Sequence, residues 1–151
     1  RAMDDFMTNY LNTLVKQGVD FNRESRQIVV VLTKADLIDD LPANLHNYLV
    51  SDPIAAAINR RGYQRGMDGY DMEEYIEIMG RVSNAIRDWL EEEPPGRNFV
   101  RLAESRNIDL RFSLVSSTGV RLNPGDSLPV ALSPRRVLDP YFWALELQSL
   151  T

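Results

Sequence analysis

IVVVLTKADLI, residues 28–38, is the stretch on which the rest of the chain is read. Ile28-Val29-Val30-Val31-Leu32 is apolar at every position and β-branched through Val31, without the polar alternation of a half-buried strand. Such a run suits a parallel strand covered by helices on both faces. It stops at Thr33-Lys34-Ala35-Asp36. In open α/β sheets ligands sit beyond the carboxyl ends of the strands, so a lysine and an aspartate at that point are candidate binding groups. The alternative is that Lys34 and Asp36 only cap and solvate a loop.

A second strand is expected at Leu110-Arg111-Phe112-Ser113-Leu114-Val115, and it too ends in polar residues, Ser116-Ser117-Thr118-Gly119. The segments between and around the strands read as helices. Met3, Met7, Tyr10 and Leu14 mark a helix over residues 3–17 that stops at Gly18. Pro42 opens a short helix at 43–50, and Asp52-Pro53 starts another running to Arg61. Residues 60–71 carry Gly62, Gly66 and Gly69 and read as a loop. Asp71 and Glu74 form a capping box for a helix whose stripe is Tyr75, Met79, Val82, Ile86 and Trp89, ended by Pro94-Pro95-Gly96. The run Glu91-Glu92-Glu93 sits where the helix dipole disfavours it, and a frayed end is expected there, the alternative being a partner or a nearby arginine that compensates. Asn98 is expected to cap a helix to Arg106, with Asn107 as its left-handed exit. Asn123-Pro124-Gly125-Asp126 is a turn, residues 128–132 are a candidate weak strand, and Asp139-Pro140 caps a closing helix.

Strands separated by helices pair in parallel. The expected fold class is therefore α/β, a parallel sheet with helices on both faces, in one domain over residues 1–151. Two strands are few for that many helices, and the sheet is expected to be incomplete: either weaker strands are hidden, residues 128–132 being one candidate, or the other strands lie in a missing N-terminal part.

The bulk numbers exclude several functions. A net charge of −5 and a pI near 4.9 argue against a nucleic-acid binder. The absence of cysteine removes disulfides, thiol catalysis and thiolate metal sites. One histidine, His46, cannot build a histidine-rich metal site, and it reads as a surface or packing residue. No apolar run approaches the ~20 residues of a membrane span, and a cytoplasmic location is expected. Arg60, Arg61 and Arg65 can grip an anion but read more simply as a solvated loop. Trp89 and Trp143 belong to apolar stripes and are expected in the core, while Tyr141-Phe142-Trp143 is a docking patch only if the core does not take it.

If the two strands are neighbours, their polar exits share one rim. A carboxylate there accepts two coplanar hydrogen bonds. Guanine offers two adjacent donors, its ring N–H and its amino group, and adenine does not. Leaving one buried partner unpaired costs ~1–3 kcal/mol, enough to discriminate between bases. Asp36 can supply that carboxylate, Lys34 can lie along the base, Thr33 can tie the loops together, and amides of the 116–118 turn can donate to the guanine carbonyl.

VVVLTKADL resembles the strand and base-recognition motif, N/T-K-x-D, of P-loop GTPases of the translation-factor and Ras-like class. LVSSTG resembles their last guanine loop, usually Ser-Ala-Lys. The resemblance assigns guanine binding to Thr33, Lys34, Asp36, Ser116, Ser117 and Thr118. It departs from the pattern at Thr33, usually asparagine, and at Thr118, usually lysine. About 80 residues separate the two motifs, more than in a minimal GTPase, so residues 42–96 are expected to be a helical insertion. That layout is similar to GTPase domains of bacterial multidomain or conflict-type systems. No G-x-x-x-x-G-K-[ST] phosphate loop occurs. The resemblance thus covers the base-binding half of a GTPase domain. It implies GTP or GDP with Mg2+ in a complete protein, a missing N-terminal half or another chain to hold the phosphates, and a protein effector. Hydrolysis is implied only if that half exists. The other reading is a helical interaction module on a degenerate GTPase-like scaffold, binding a protein and no nucleotide.

Overall fold

Two strands, β1 (Arg26–Leu32) and β2 (Ile108–Leu114), pair in parallel, from Arg26 beside Ile108 to Leu32 beside Leu114. The computed structural model describes residues 2–21, 23, 25–51, 72–117 and 134–149. Within these lie five α-helices: α1 (Ala2–Lys16), α2 (Ala43–Val50), α3 (Met72–Glu92), α4 (Pro94–Glu104) and α5 (Asp139–Ser149). The expected helix over 53–61, the 60–71 loop with its arginines, the Asp71 cap, the turn at 123–126 and the candidate strand at 128–132 fall outside the described residues.

The two faces of the sheet carry two apolar clusters. Ile28, Val30 and Leu32, with Ile108, Leu110, Phe112 and Leu114, pack against Met7, Leu11 and Leu14 of α1 and Phe99, Val100 and Ala103 of α4. On the other face Val29 meets Trp143 of α5 and Tyr75 and Met79 of α3. The period-2 alternation of a strand sends neighbouring residues to opposite faces, which is why β1 needs no polar side. Each large side chain so covered contributes about 1.5–3 kcal/mol.

The edges of the sheet differ. The Arg26 N–H donates to the Asn107 carbonyl, and the Leu32 carbonyl accepts from the Val115 N–H. Even-numbered residues of β1 therefore turn their main-chain groups towards β2. Gln27, Val29 and Val31 turn theirs to an outer edge that has no backbone partner among the described residues. The outer edge of β2 is covered by α3, whose Ser83 hydroxyl accepts the Phe112 N–H at 2.9 Å.

Local signals explain the element ends. α1 closes with a paired-bond exit: the Val19 N–H donates to the Leu14 carbonyl, the Gly18 N–H to the Val15 carbonyl, and Gly18 takes φ 82. Asn107 takes φ 54 between α4 and β2, as expected. Two expectations fail at the α3–α4 junction. α4 begins at Pro94, with Glu93 at the N-cap position but making no side-chain cap bond, and not after Asn98, because two prolines at the first helical positions have no N–H to leave unsatisfied. Nor does the end of α3 fray. The Arg97 guanidinium donates to the carbonyls of Glu91 and Glu92, supplying the positive charge that the acidic run lacks. Gly96 lies so close that a Cβ there would stand 1.9 Å from the Leu90 carbonyl oxygen.

Candidate functional site

At the carboxyl end of β1 the chain turns sharply. Lys34 adopts the left-handed conformation (φ 55, ψ 38) and starts a single 3-10 turn, Ala35–Leu37. Thr33 and Lys34 are exposed, Ala35 is buried and Asp36 is half-buried. The Leu37 N–H closes the turn on the Lys34 carbonyl at 2.9 Å.

This turn lies directly against the exit of β2. The Val115 N–H donates to the Leu32 carbonyl at 3.0 Å, and the Ala35 N–H donates to the Val115 carbonyl at 3.1 Å. The polar exits of the two strands thus share one rim, joined through main-chain groups between Lys34 and Asp36 on one side and Ser116 on the other. Thr33, Lys34, Asp36, Ser116 and Ser117 are brought together, while Thr118 falls outside the described residues.

Ser116 plays a different part from a base donor. It is fully buried, its N–H donates to the Arg135 carbonyl at 3.1 Å, and its carbonyl accepts from the Arg135 N–H at 2.8 Å. Its amide is thus committed within the protein, whereas Ser117 is exposed.

A buried polar cluster behind the rim was not expected from the sequence. Arg136, 3 % exposed and at φ 57, follows the residue bridged to Ser116. Its Nε donates to the Tyr48 carbonyl at 2.9 Å and its Nη1 to the Tyr75 hydroxyl at 3.0 Å. The guanidinium lies 3.5 Å from the centroid of the Tyr48 ring. Asp139, 1 % exposed, accepts the Tyr48 hydroxyl on Oδ2 and the Tyr75 hydroxyl on Oδ1, each at 2.5 Å. Burial first, and then the Asp139 charge, push both phenols well above the ordinary value of 10, with Arg136 opposing. Asp139 was legible as the start of a helix. Tyr48 is buried on α2 with Leu45 and Leu49, and the sequence pattern singles out neither it nor Arg136.

His46 is exposed, Trp143 is buried, and Trp89 is half-buried against the larger cluster. The aromatic triplet is split: Tyr141 is exposed, Phe142 half-buried and Trp143 in the core. Among the described residues no three His, Cys, Asp or Glu side chains are grouped to hold a metal, and no helix is long and apolar enough to cross a membrane. No protein-family model matches the chain, and no curated protein and no solved structure matches it.

Proposed function

We propose that the rim formed by residues 33–36 and 116–118 reads a guanine base, as part of a P-loop GTPase-like protein. The observation that carries the reading is the Ala35 N–H to Val115 carbonyl bond, which holds the T-K-A-D turn against Ser116 and Ser117 at the carboxyl edge of a parallel sheet. Asp36 accepts the ring N–H and the amino group of the base. Lys34 lies along the base, its stem packed and its ammonium directed to loop carbonyls. Thr33 links the two loops, Ser116 anchors the second one, and Ser117 and Thr118 present amides to the guanine carbonyl.

The triphosphate and its Mg2+ are held by a phosphate-binding half supplied by another segment or another chain. The outer edge of β1, which has no backbone partner among the described residues, supports this division, because a strand added there extends the sheet. Hydrolysis belongs to that half, and the output of the switch is a protein effector.

A second reading, a protein-interaction module without nucleotide, is favoured by one feature. Val137, Leu138, Tyr141 and Leu145 are exposed at helical spacing in and just before α5. The two readings separate by ligand-linked stability. GDP at a hundredfold excess over its dissociation constant should stabilise the protein that carries this chain by about 2.7 kcal/mol, with no effect of ADP. Equal melting temperatures with GDP, with ADP and without nucleotide would favour the interaction module.

A further inference from the structure

We infer that Tyr48, Tyr75, Arg136 and Asp139 are positioning residues: they fix the loop after β2 against the Lys34–Asp36 turn, so that the helices α2 and α3 set the geometry of the rim. Only the nucleotide arm of the test below rests on the guanine reading.

Four elements meet in the cluster. Tyr48 comes from α2, Tyr75 from α3, Arg136 from the segment bridged to Ser116, and Asp139 from the start of α5. Asp139 also closes a turn with Arg136, donating its N–H to the Arg136 carbonyl at 3.1 Å. The left-handed backbone of Arg136 lets neighbouring residues face different ways. Arg135 pairs both of its main-chain groups with Ser116, while the Arg136 side chain enters the cluster. A bulky residue holds that conformation only where its surroundings compel it, and the guanidinium contacts with Tyr48 and Tyr75 do so.

The same helix touches the other side of the rim. α2 packs on the Ala35–Leu37 turn and also carries Tyr48. The two loops are therefore tied twice, directly by Ala35 to Val115 and indirectly through α2, the guanidinium and the Arg135–Ser116 bridge. An apolar core would serve stability as well as or better than a buried guanidinium and carboxylate linked through two phenols. What the charged, directional cluster adds is a fixed geometry between α2 and the loop.

Tyr75→Phe tests this with little change in volume, removing the one hydroxyl that both Asp139 and Arg136 use. Tyr48→Phe is the second variant, used also if the first does not fold, and Tyr141→Phe on the surface is the control. The first readout is amide hydrogen exchange, which needs no nucleotide. Exchange at Ser116 and Arg135 should quicken about tenfold, as for the loss of one charged hydrogen bond, while amides in the middle of α1 and α4 keep their rates. Unchanged protection at the bridge in both variants, or a uniform rise throughout the chain, overturns the inference. The second readout is binding by the intact protein. GDP affinity should fall about tenfold while the preference for GDP over IDP, which Asp36 sets, is retained. A lost GDP over IDP preference, or unchanged GDP affinity beside a loosened bridge, overturns the link between cluster and rim. A loosened bridge in a protein that binds no GDP at all sinks the guanine reading and leaves the positioning role standing.

Discussion

Tyr48 and Tyr75 each donate a hydroxyl hydrogen bond to the same buried carboxylate, and that choice fixes how the chain responds to alkali. Ionising either phenol would place a second negative charge against Asp139 in a site screened from water. Both are therefore held protonated above their ordinary value of 10, by burial first and Asp139 second. The sign follows from linkage. A group whose value is raised on folding binds its proton more tightly in the folded state, so its contribution is intact below pH 10 and is lost as the pH rises beyond it. Of the six tyrosines, fewer than six should ionise while the fold persists, and stability should decline only above about pH 10. Ultraviolet titration followed beside circular dichroism checks this. Six phenols titrating together near 10 in a folded chain would show that the cluster is not closed. None of this was legible locally. Tyr48 and Tyr75 sit on apolar stripes, and only the fold brings Arg136 to them.

Among the elements, α3 carries the largest share of the organisation. Its stripe was legible because Tyr75, Met79 and Ile86 recur at helical spacing, and all three are buried. What the periodicity does not show is that the helix lies along the outer edge of β2 and receives a main-chain donor there. Ser83 does this at 2 % exposure, where a serine in a helix interior otherwise has no advantage. Ser83→Ala should thus be destabilising. Leaving the Phe112 N–H unpaired costs about 1–3 kcal/mol, against about 0.5 kcal/mol gained from the better helix former. The net loss of about 1–2 kcal/mol corresponds to a melting temperature lower by about 2–4 °C per kcal/mol. A melting temperature equal to or above that of the parent would mean that water already serves that N–H. The end of α3 was misjudged for a related reason. The acidic run was visible in the sequence, whereas its compensation, Arg97 reaching back from the next helix, depends on the tight turn that Gly96 permits.

At the scale of the molecule, the parallel pairing of two strands and the shared rim were both legible from residues 28–38 and 110–118, because a strand apolar on both faces has few other places to go. The division of labour within the second loop was not. Ser116 reads as a polar exit residue, yet the return of the chain at Arg135 takes both of its main-chain groups. Among the described residues the sheet is asymmetric: α3 covers the outer edge of β2, whereas the outer edge of β1 has no backbone partner and Val31 is exposed.

Asp36→Asn tests most directly the proposal that the Asp36 carboxylate reads a guanine base. An amide offers one acceptor and one donor, which matches the ring N–H and the carbonyl of xanthine in place of the two donors of guanine. In the protein that carries this chain, GDP affinity should fall and xanthosine diphosphate affinity rise, each by about a hundredfold, measured by calorimetry. GDP affinity unchanged by the substitution would contradict the assignment of this rim to guanine.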